Sequence, residues 1–168
     1  MEPNRVAELF VVALVAGSVA VAVAWTRPSG RRLLARWATA AAAAVAVAAT
    51  LGSLWFSESA GFRPCELCWY QRIAMYPLAV VLTIAAVRRD RQVFVYALPL
   101  ALGGALASAY HVREQLFPPE SGSCDPFNPC TAKWVDAFGL ITIPEMAGAS
   151  FLLVAALGVW TLRHQRAR

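Results

Sequence analysis

WYQRIAMYPLAVVLTIAAV, from Trp69 to Val87, is a run of 19 residues in which Arg72 is the one charge. A helix needs about 20 mainly apolar residues to cross the hydrocarbon core of a bilayer, so this segment is predicted to span a membrane. Four further windows meet the same test: Leu9–Trp25, Trp37–Phe56, Val93–Tyr110 and Ile141–Leu162. The whole chain agrees, with 168 residues, 59% hydrophobic, 15% charged and a mean hydropathy of +0.54. A soluble domain carries about 25% charged residues. The reading is an all-α integral membrane protein. Its longest connection, His111–Leu140, has 30 residues, which leaves no room for a soluble catalytic domain. Any chemistry belongs to the bundle or to that loop.

The net charge of +5 is unevenly placed. Arg27, Arg31, Arg32 and Arg36 follow the first window, Arg88, Arg89 and Arg91 follow the third, and Arg163, Arg166 and Arg168 close the chain. Basic residues near helix ends resist translocation, so these positions are expected on the cytoplasmic side, with the N-terminus outside and the C-terminus inside. The arginines lack the interleaved aromatic platform of a nucleic-acid surface, and no nucleic-acid partner is expected. Ala22-Val23-Ala24 imitates a signal-peptide cleavage site, but cleavage would strand the four-arginine turn outside, so a retained helix is preferred.

Trp25, Trp37, Trp55, Trp69 and Trp160 fall near window ends, where an indole suits the headgroup zone, and Trp134 marks a short segment expected on the membrane surface. The alanine run Ala40–Ala44 permits close helix packing, and Pro77 and Pro99 should bend their helices.

All four cysteines fall on the outer side, where disulfides persist. Cys65 and Cys68 stand at the entrance of the third helix, a spacing at which Cβ atoms lie about 5–6 Å apart and a disulfide opens and closes with little adjustment. With Pro64 in front, both sulfurs sit near the positive end of the helix dipole, which favours the attacking thiolate. A redox pair is the preferred reading; a static staple and a metal half-site are the alternatives. A staple closing so short a loop restrains the unfolded chain little, and a Cys₄ zinc site normally shows a second C-x-x-C, so no metal is expected.

Cys124 and Cys130 lie in a loop with Pro118, Pro119, Pro126 and Pro129, flanked by Glu120 and Asp125. That loop reads as exposed, partly extended and mobile, open to an attacking protein thiol, with a static disulfide as the competing reading. Helical spacing puts Cys65, Cys68, Arg72 and Tyr76 on one face, with Gln71 beside them. Arg72 either snorkels to the interface or stabilises a Cys68 thiolate and a reduced acceptor. His111, closing the fourth helix, is a candidate proton donor to that acceptor.

The string Pro64-Cys65-Glu66-Leu67-Cys68-Trp69-Tyr70-Gln71-Arg72, continuing to Met75-Tyr76-Pro77-Leu78, resembles the disulfide bond formation protein B family, DsbB and its BdbC branch. So do Gly52-Ser53-Leu54-Trp55-Phe56-Ser57-Glu58, Tyr110-His111 and Phe138-Gly139-Leu140-Ile141-Thr142-Ile143-Pro144. The resemblance, from about Trp37 to Leu162, implies a four-helix transmembrane bundle plus an extra N-terminal transmembrane helix. The corresponding units are residues 1–36, the extra helix with its basic cytoplasmic turn, and 37–168, the redox domain with its extracytoplasmic loops.

The function implied is a bacterial cytoplasmic-membrane enzyme supporting disulfide bond formation, a protein-disulfide:quinone oxidoreductase. It would reoxidise a thioredoxin-like thiol oxidase of the DsbA or BdbD kind and pass electrons to a membrane quinone. Carried over, Cys124 and Cys130 exchange with the partner, Cys124 being the sulfur attacked. Cys65 and Cys68 reoxidise them, Cys68 faces the quinone, and Arg72 and His111 hold its head. The five residues between Cys124 and Cys130 match the BdbC branch. Two alternatives stand beside this: a vitamin K reductase-like enzyme running electrons the other way, and a non-enzymatic scaffold with two structural disulfides. A transporter should carry polar residues at mid-membrane, and the windows hold almost none.

Overall fold

The computed structural model describes residues 2–118, 124–125 and 127–166; Pro119, Glu120, Pro126 and Arg168, singled out above, lie outside the described residues. The chain forms five helices: α1 (Pro3–Thr26), α2 (Pro28–Glu58), α3 (Glu66–Arg88), α4 (Phe94–Leu116) and α5 (Ile143–Arg166). Each is long and apolar enough to cross a membrane. Among the described residues there is no strand, only an isolated bridge between Ala137 and Ile141.

Local chemistry sets the ends. Pro3 and Pro28 occupy the first turns of α1 and α2, where a missing N–H costs nothing. Arg27, in extended conformation, alone separates these two helices. The hairpin is so tight that a Cβ on Gly30 would lie 2.5 Å from the Ala24 backbone, so only glycine fits. At the start of α5 the Glu145 carboxylate accepts the Thr142 N–H at 2.6 Å, half of a capping box. α3 and α4 both continue through their prolines, Pro77 and Pro99.

The helices outrun the apolar windows because their polar end residues find protein partners. α4 continues past Tyr110 to Leu116, and Gln115 in its last turn donates to the Ala132 carbonyl and accepts from Thr142 Oγ1. His111, expected to close α4, therefore lies inside it, buried.

α2 to α5 share one core. Ala38, Ala42 and Ala46 from α2 pack with Leu78 and Leu82 from α3 and with Phe94, Ala101, Phe151 and Leu157 from α4 and α5. Small residues allow close approach: a Cβ on Gly104 would strike the Phe151 ring at 2.3 Å, and one on Gly158 the Phe94 ring at 2.8 Å. α1 packs on α2 and α5 and buries only Ala7 and Val11, while Val12, Val15 and Val19 stay exposed. Large apolar side chains stay exposed on every other helix too, Leu51, Val80, Leu106 and Leu152 among them, as a lipid-facing surface requires.

The up-and-down order gathers the α1–α2 and α3–α4 turns and the α5 terminus at one end, where Arg31, Arg32, Arg36, Arg91 and His164 line a common groove. All four cysteines lie at the other end. Trp134, half exposed, also has a partner within the protein. It stacks on Phe62, with centroids 5.3 Å apart, within an irregular stretch that closes in a tight turn at Phe138 and Gly139, both at positive φ.

Candidate functional site

Cys65 is the N-cap of α3, in extended conformation, with its Sγ accepting the Cys68 N–H at 3.4 Å. The Cys65 and Cys68 sulfurs are 2.9 Å apart, and both residues are free thiols, whereas Cys124 and Cys130 are bonded. Because Cys65 precedes the helix, its side chain does not share the face of Cys68, Arg72 and Tyr76, contrary to the helical-spacing expectation. The cap conformation turns it toward α4 instead.

On that side His111 Nε2 lies 3.7 Å from Cys65 Sγ and 3.0 Å from the Cys130 carbonyl oxygen, and its Nδ1 lies 3.1 Å from Gln71 Nε2. One proton assignment satisfies all three: Nε2–H donates to the carbonyl and faces the sulfur, while Nδ1 accepts from the Gln71 amide. Gln71 and His111 are both buried, so these bonds form away from water. Cys65 Sγ, His111 and Cys130 Sγ all lie within 4.8 Å of one another. Although such a trio resembles a ligand set, the Cys130 sulfur is committed to Cys124.

The Cys65 thiol is pulled down to about 4, first by the hydrogen bond from the Cys68 thiol and then, against the opposing effect of burial, by His111 and the Cys68 N–H. The direction of that shift favours the thiolate at Cys65. The Cys68 N–H aimed at Cys65 Sγ agrees with that direction.

In the described part of the second cysteine loop Pro118, Asp125, Phe127 and Pro129 are exposed, while the two cysteines are less so. Cys130 is 2% exposed, while Cys124 is half-buried. Asp125 Oδ1 accepts the Phe127 N–H at 2.9 Å, an Asx turn, and Asn128 Nδ2 donates to the Pro64 carbonyl at 2.9 Å, fastening this loop to the residue before Cys65. Phe127, between the two cysteines, is 98% exposed.

Cys68 faces the other way, into a cavity of about 380 Å³. Arg72 also lines it and donates to the Ser53 carbonyl at 3.0 Å and to Ser57 Oγ. Its guanidinium lies 5.3 Å from the Trp69 ring centroid and 6.0 Å from that of Tyr76. No described carboxylate pairs with it, so a full positive charge held by neutral oxygens and rings faces an apolar chamber. These two bonds hold the head at the chamber wall. His111 does not line the cavity; it sits between Cys65 and Cys130. The cavity residues Ser53, Trp134 and Phe10, and Ser57 that holds Arg72, carry no functional reading in sequence, since nothing in their spacing marks them, although Ser53 and Ser57 stand in the string that carries the resemblance.

The sequence model of the family described as Disulfide bond formation protein DsbB matches residues 35–161. The chain is 49% identical over 112 residues to Disulfide bond formation protein C of Bacillus subtilis, covering 66% of this chain and 81% of that one. It is 42% identical over 120 residues to a probable disulfide formation protein of Oceanobacillus iheyensis, covering 70% of this chain and 83% of the other. A probable disulfide formation protein C of Bacillus cereus is 38% identical over 139 residues, 81% of this chain and 99% of its own length. No solved structure matches significantly.

Proposed function

This chain belongs to the disulfide bond formation protein DsbB family of membrane oxidoreductases, and on that premise we propose that it is a protein-disulfide:quinone oxidoreductase. One observation carries the reading: the two sulfurs of one pair serve two sites, Cys65 toward Cys130 and Cys68 toward an apolar chamber with an unpaired cation. The chamber fits a membrane quinone. It is apolar over most of its wall, its volume of about 380 Å³ suits a ring, and thiol and guanidinium meet at one end.

The steps balance as follows. A thiolate of a thioredoxin-like partner attacks Cys124 Sγ, the more accessible sulfur; the Cys124–Cys130 bond breaks and Cys130 leaves as a thiolate. Cys130 attacks Cys65 of the oxidised Cys65–Cys68 pair, and Cys68 leaves as a thiolate beside Arg72. The partner's second thiol displaces Cys124, which releases the oxidised partner. Cys124 then attacks Cys130, re-forming that disulfide and freeing Cys65 as a thiolate beside His111. This end state is the distribution of thiols and disulfide described above. A bound quinone supplies the sink for two electrons and two protons, and Cys65 and Cys68 return to the disulfide. In this reading His111 acts on the exchange between pairs, holding Cys65 as a thiolate and the Cys130 backbone in place. Exposed Phe127 gives the partner an apolar contact beside the sulfur it attacks.

The cysteine end is placed outside the bacterial cytoplasmic membrane and the arginine groove inside, following the charge rule. A membrane-impermeant thiol reagent on reduced, right-side-out vesicles should label Cys124 in such an orientation. The test of function is quinone-dependent oxidation of a thioredoxin-like dithiol by the purified protein in lipid, one quinol per disulfide formed. Oxidation that proceeds equally without quinone overturns the reading.

A further inference from the structure

α1 lies outside the matched family region, which begins at residue 35, and the Bacillus cereus relative is covered over 99% of its length by only 81% of this chain. Yet α1 supplies Val6, Leu9, Phe10 and Ala13 to the wall of the Cys68 chamber. The spacing of three, one and three residues puts the four on one face of the helix. The same helix leaves Val12, Val15 and Val19 exposed and off the chamber wall, while Leu9, 67% exposed, stands at the border between chamber and lipid.

Three further observations hold that face in place. Phe10 lies over Gly52 on α2, its ring edge 4.0 Å from where a Cβ would stand, and Gly17 faces Leu153 of α5. Ala7 and Val11 pack with Phe56, Val135, Ala137 and Met146, tying α1 to both the α2 end and the outer loop. At its tip Asn4 Oδ1 accepts the Asp136 N–H at 3.3 Å. The remaining wall comes from α2, α3, α5, Phe62 to Pro64 and Trp134; α4 contributes nothing. Without α1, the side of the chamber between α2 and α5 would open to lipid.

We propose that α1, outside the matched family region, is an acceptor-binding wall of this chain. Phe10 and Ala13 set which quinone ring, and how much of its attached prenyl chain, fits against Cys68. Resting on the quinone reading of that chamber, this assigns the surplus helix a part in acceptor choice. Phe10 bounds the chamber with an aromatic face on which a quinone ring stacks. Ala13, three residues on and nearly one turn toward the bilayer centre, leaves the space through which a prenyl chain continues.

The experiment compares full-length protein with Phe10→Ala and Ala13→Phe, reconstituted in lipid, using a benzoquinone and a naphthoquinone that each carry one prenyl unit. Phe10→Ala should raise the KM for both acceptors about tenfold, the equivalent of losing about 1.4 kcal/mol of contact. Ala13→Phe should discriminate, raising KM more for the larger naphthoquinone. Single-turnover reduction of the Cys124–Cys130 disulfide by a dithiol should keep its rate in both, which separates an acceptor effect from misfolding. Val12→Ala, on the lipid face, should match the parent protein in every readout. Unchanged KM values for both acceptors in both variants, with parent activity intact, overturn the inference and leave the quinone reading standing. Failure of the parent protein to reduce any quinone overturns the quinone reading itself, and this inference with it.

Discussion

Cys65 and Cys68 are three residues apart with sulfurs 2.9 Å from each other, yet they occupy opposite kinds of surroundings. The Cys65 side is polar and closed, with His111 and Gln71 buried behind it and the Cys130 sulfur within reach. The Cys68 side is mostly apolar and hollow, with the cations Arg72 and Arg63 on its wall. Such a pair divides two problems between two atoms. Thiol exchange needs a thiolate and an aligned sulfur; electron delivery to a membrane acceptor needs an apolar volume and a charge to meet the anion that forms. The single peptide turn between them joins the two without a diffusing intermediate.

The most severe break of this comparison removes one sulfur at a time. Either Cys68→Ala or Cys65→Ala should reduce quinone turnover to background. The two should leave different species. With Cys68 gone, Cys65 remains within 4.8 Å of Cys130 and should displace Cys124, so a Cys65–Cys130 disulfide accumulates and peptide mapping detects it. With Cys65 gone, no Cys68–Cys130 bond should form, because Cys68 faces the chamber. Equal yields of both cross-links would collapse the two sides into one.

Arg72 sharpens the acceptor side. Arg72→Met should lower quinone turnover per inserted molecule by about tenfold or more, given that about 1.4 kcal/mol of lost charge stabilisation is a factor of ten. Reduction of the Cys124–Cys130 disulfide by a dithiol should be unaffected. Arg72→Lys keeps the charge but cannot reach the Ser53 carbonyl and Ser57 hydroxyl with the same fork, so it should fall between. A defect in dithiol reduction equal to that in quinone turnover would remove Arg72 from the chamber's chemistry.

The exchange side is tested by pH. With its thiol drawn from 9.0 to about 4, Cys65 should stay a thiolate down to about pH 5 and lose alkylation rate only as pH falls through 4. Cys68→Ala removes the largest cause and should move the inflection furthest upward; His111→Ala, a smaller cause, should move it less. The same shift makes folding more favourable as pH rises from 4 toward 9, since the unfolded chain holds the proton over that range. Rate-against-pH curves for iodoacetamide labelling of Cys65 decide the matter, and an inflection near 9 in the parent protein contradicts the arrangement.

The fold was legible in the sequence because a bilayer imposes a length and composition that side-chain detail cannot disguise. The windows stopped short where polar residues extend the helices, as at Arg113 to Leu116, because hydropathy is blind to the partners that Gln115 finds in Ala132 and Thr142. Cys65 was placed on the wrong face because spacing arguments assume a helix, and a cap residue is not in one. His111 read as an acceptor ligand from its place at a helix end; its alignment with Cys130 depends on a loop whose path no local pattern specifies. The chamber itself was invisible, since its walls come from α1, α2, α3, α5 and two connections far apart in the chain.

The smallest expected effect tests what brings the two cysteine loops together. Asn128 Nδ2 donates to the Pro64 carbonyl, one residue before Cys65, while its buried Oδ1 has no partner among the described residues. Asn128→Ala removes one hydrogen bond, of about 0.5–1.5 kcal/mol, and also an unsatisfied buried acceptor whose burial costs a similar amount, so stability should change by less than about 1 kcal/mol. Alignment should suffer more than stability. With the clamp gone, Cys130 is held near Cys65 by His111 and, through the Ala132 carbonyl, by Gln115, and the exchange between the pairs should slow by about threefold to tenfold, the equivalent of about 0.6–1.4 kcal/mol in the barrier. Quinone reduction started from already reduced Cys65 and Cys68 bypasses that step and should run at the parent rate. If both rates fall together, the loop contact supports the whole cysteine end of the bundle and not the exchange side in particular.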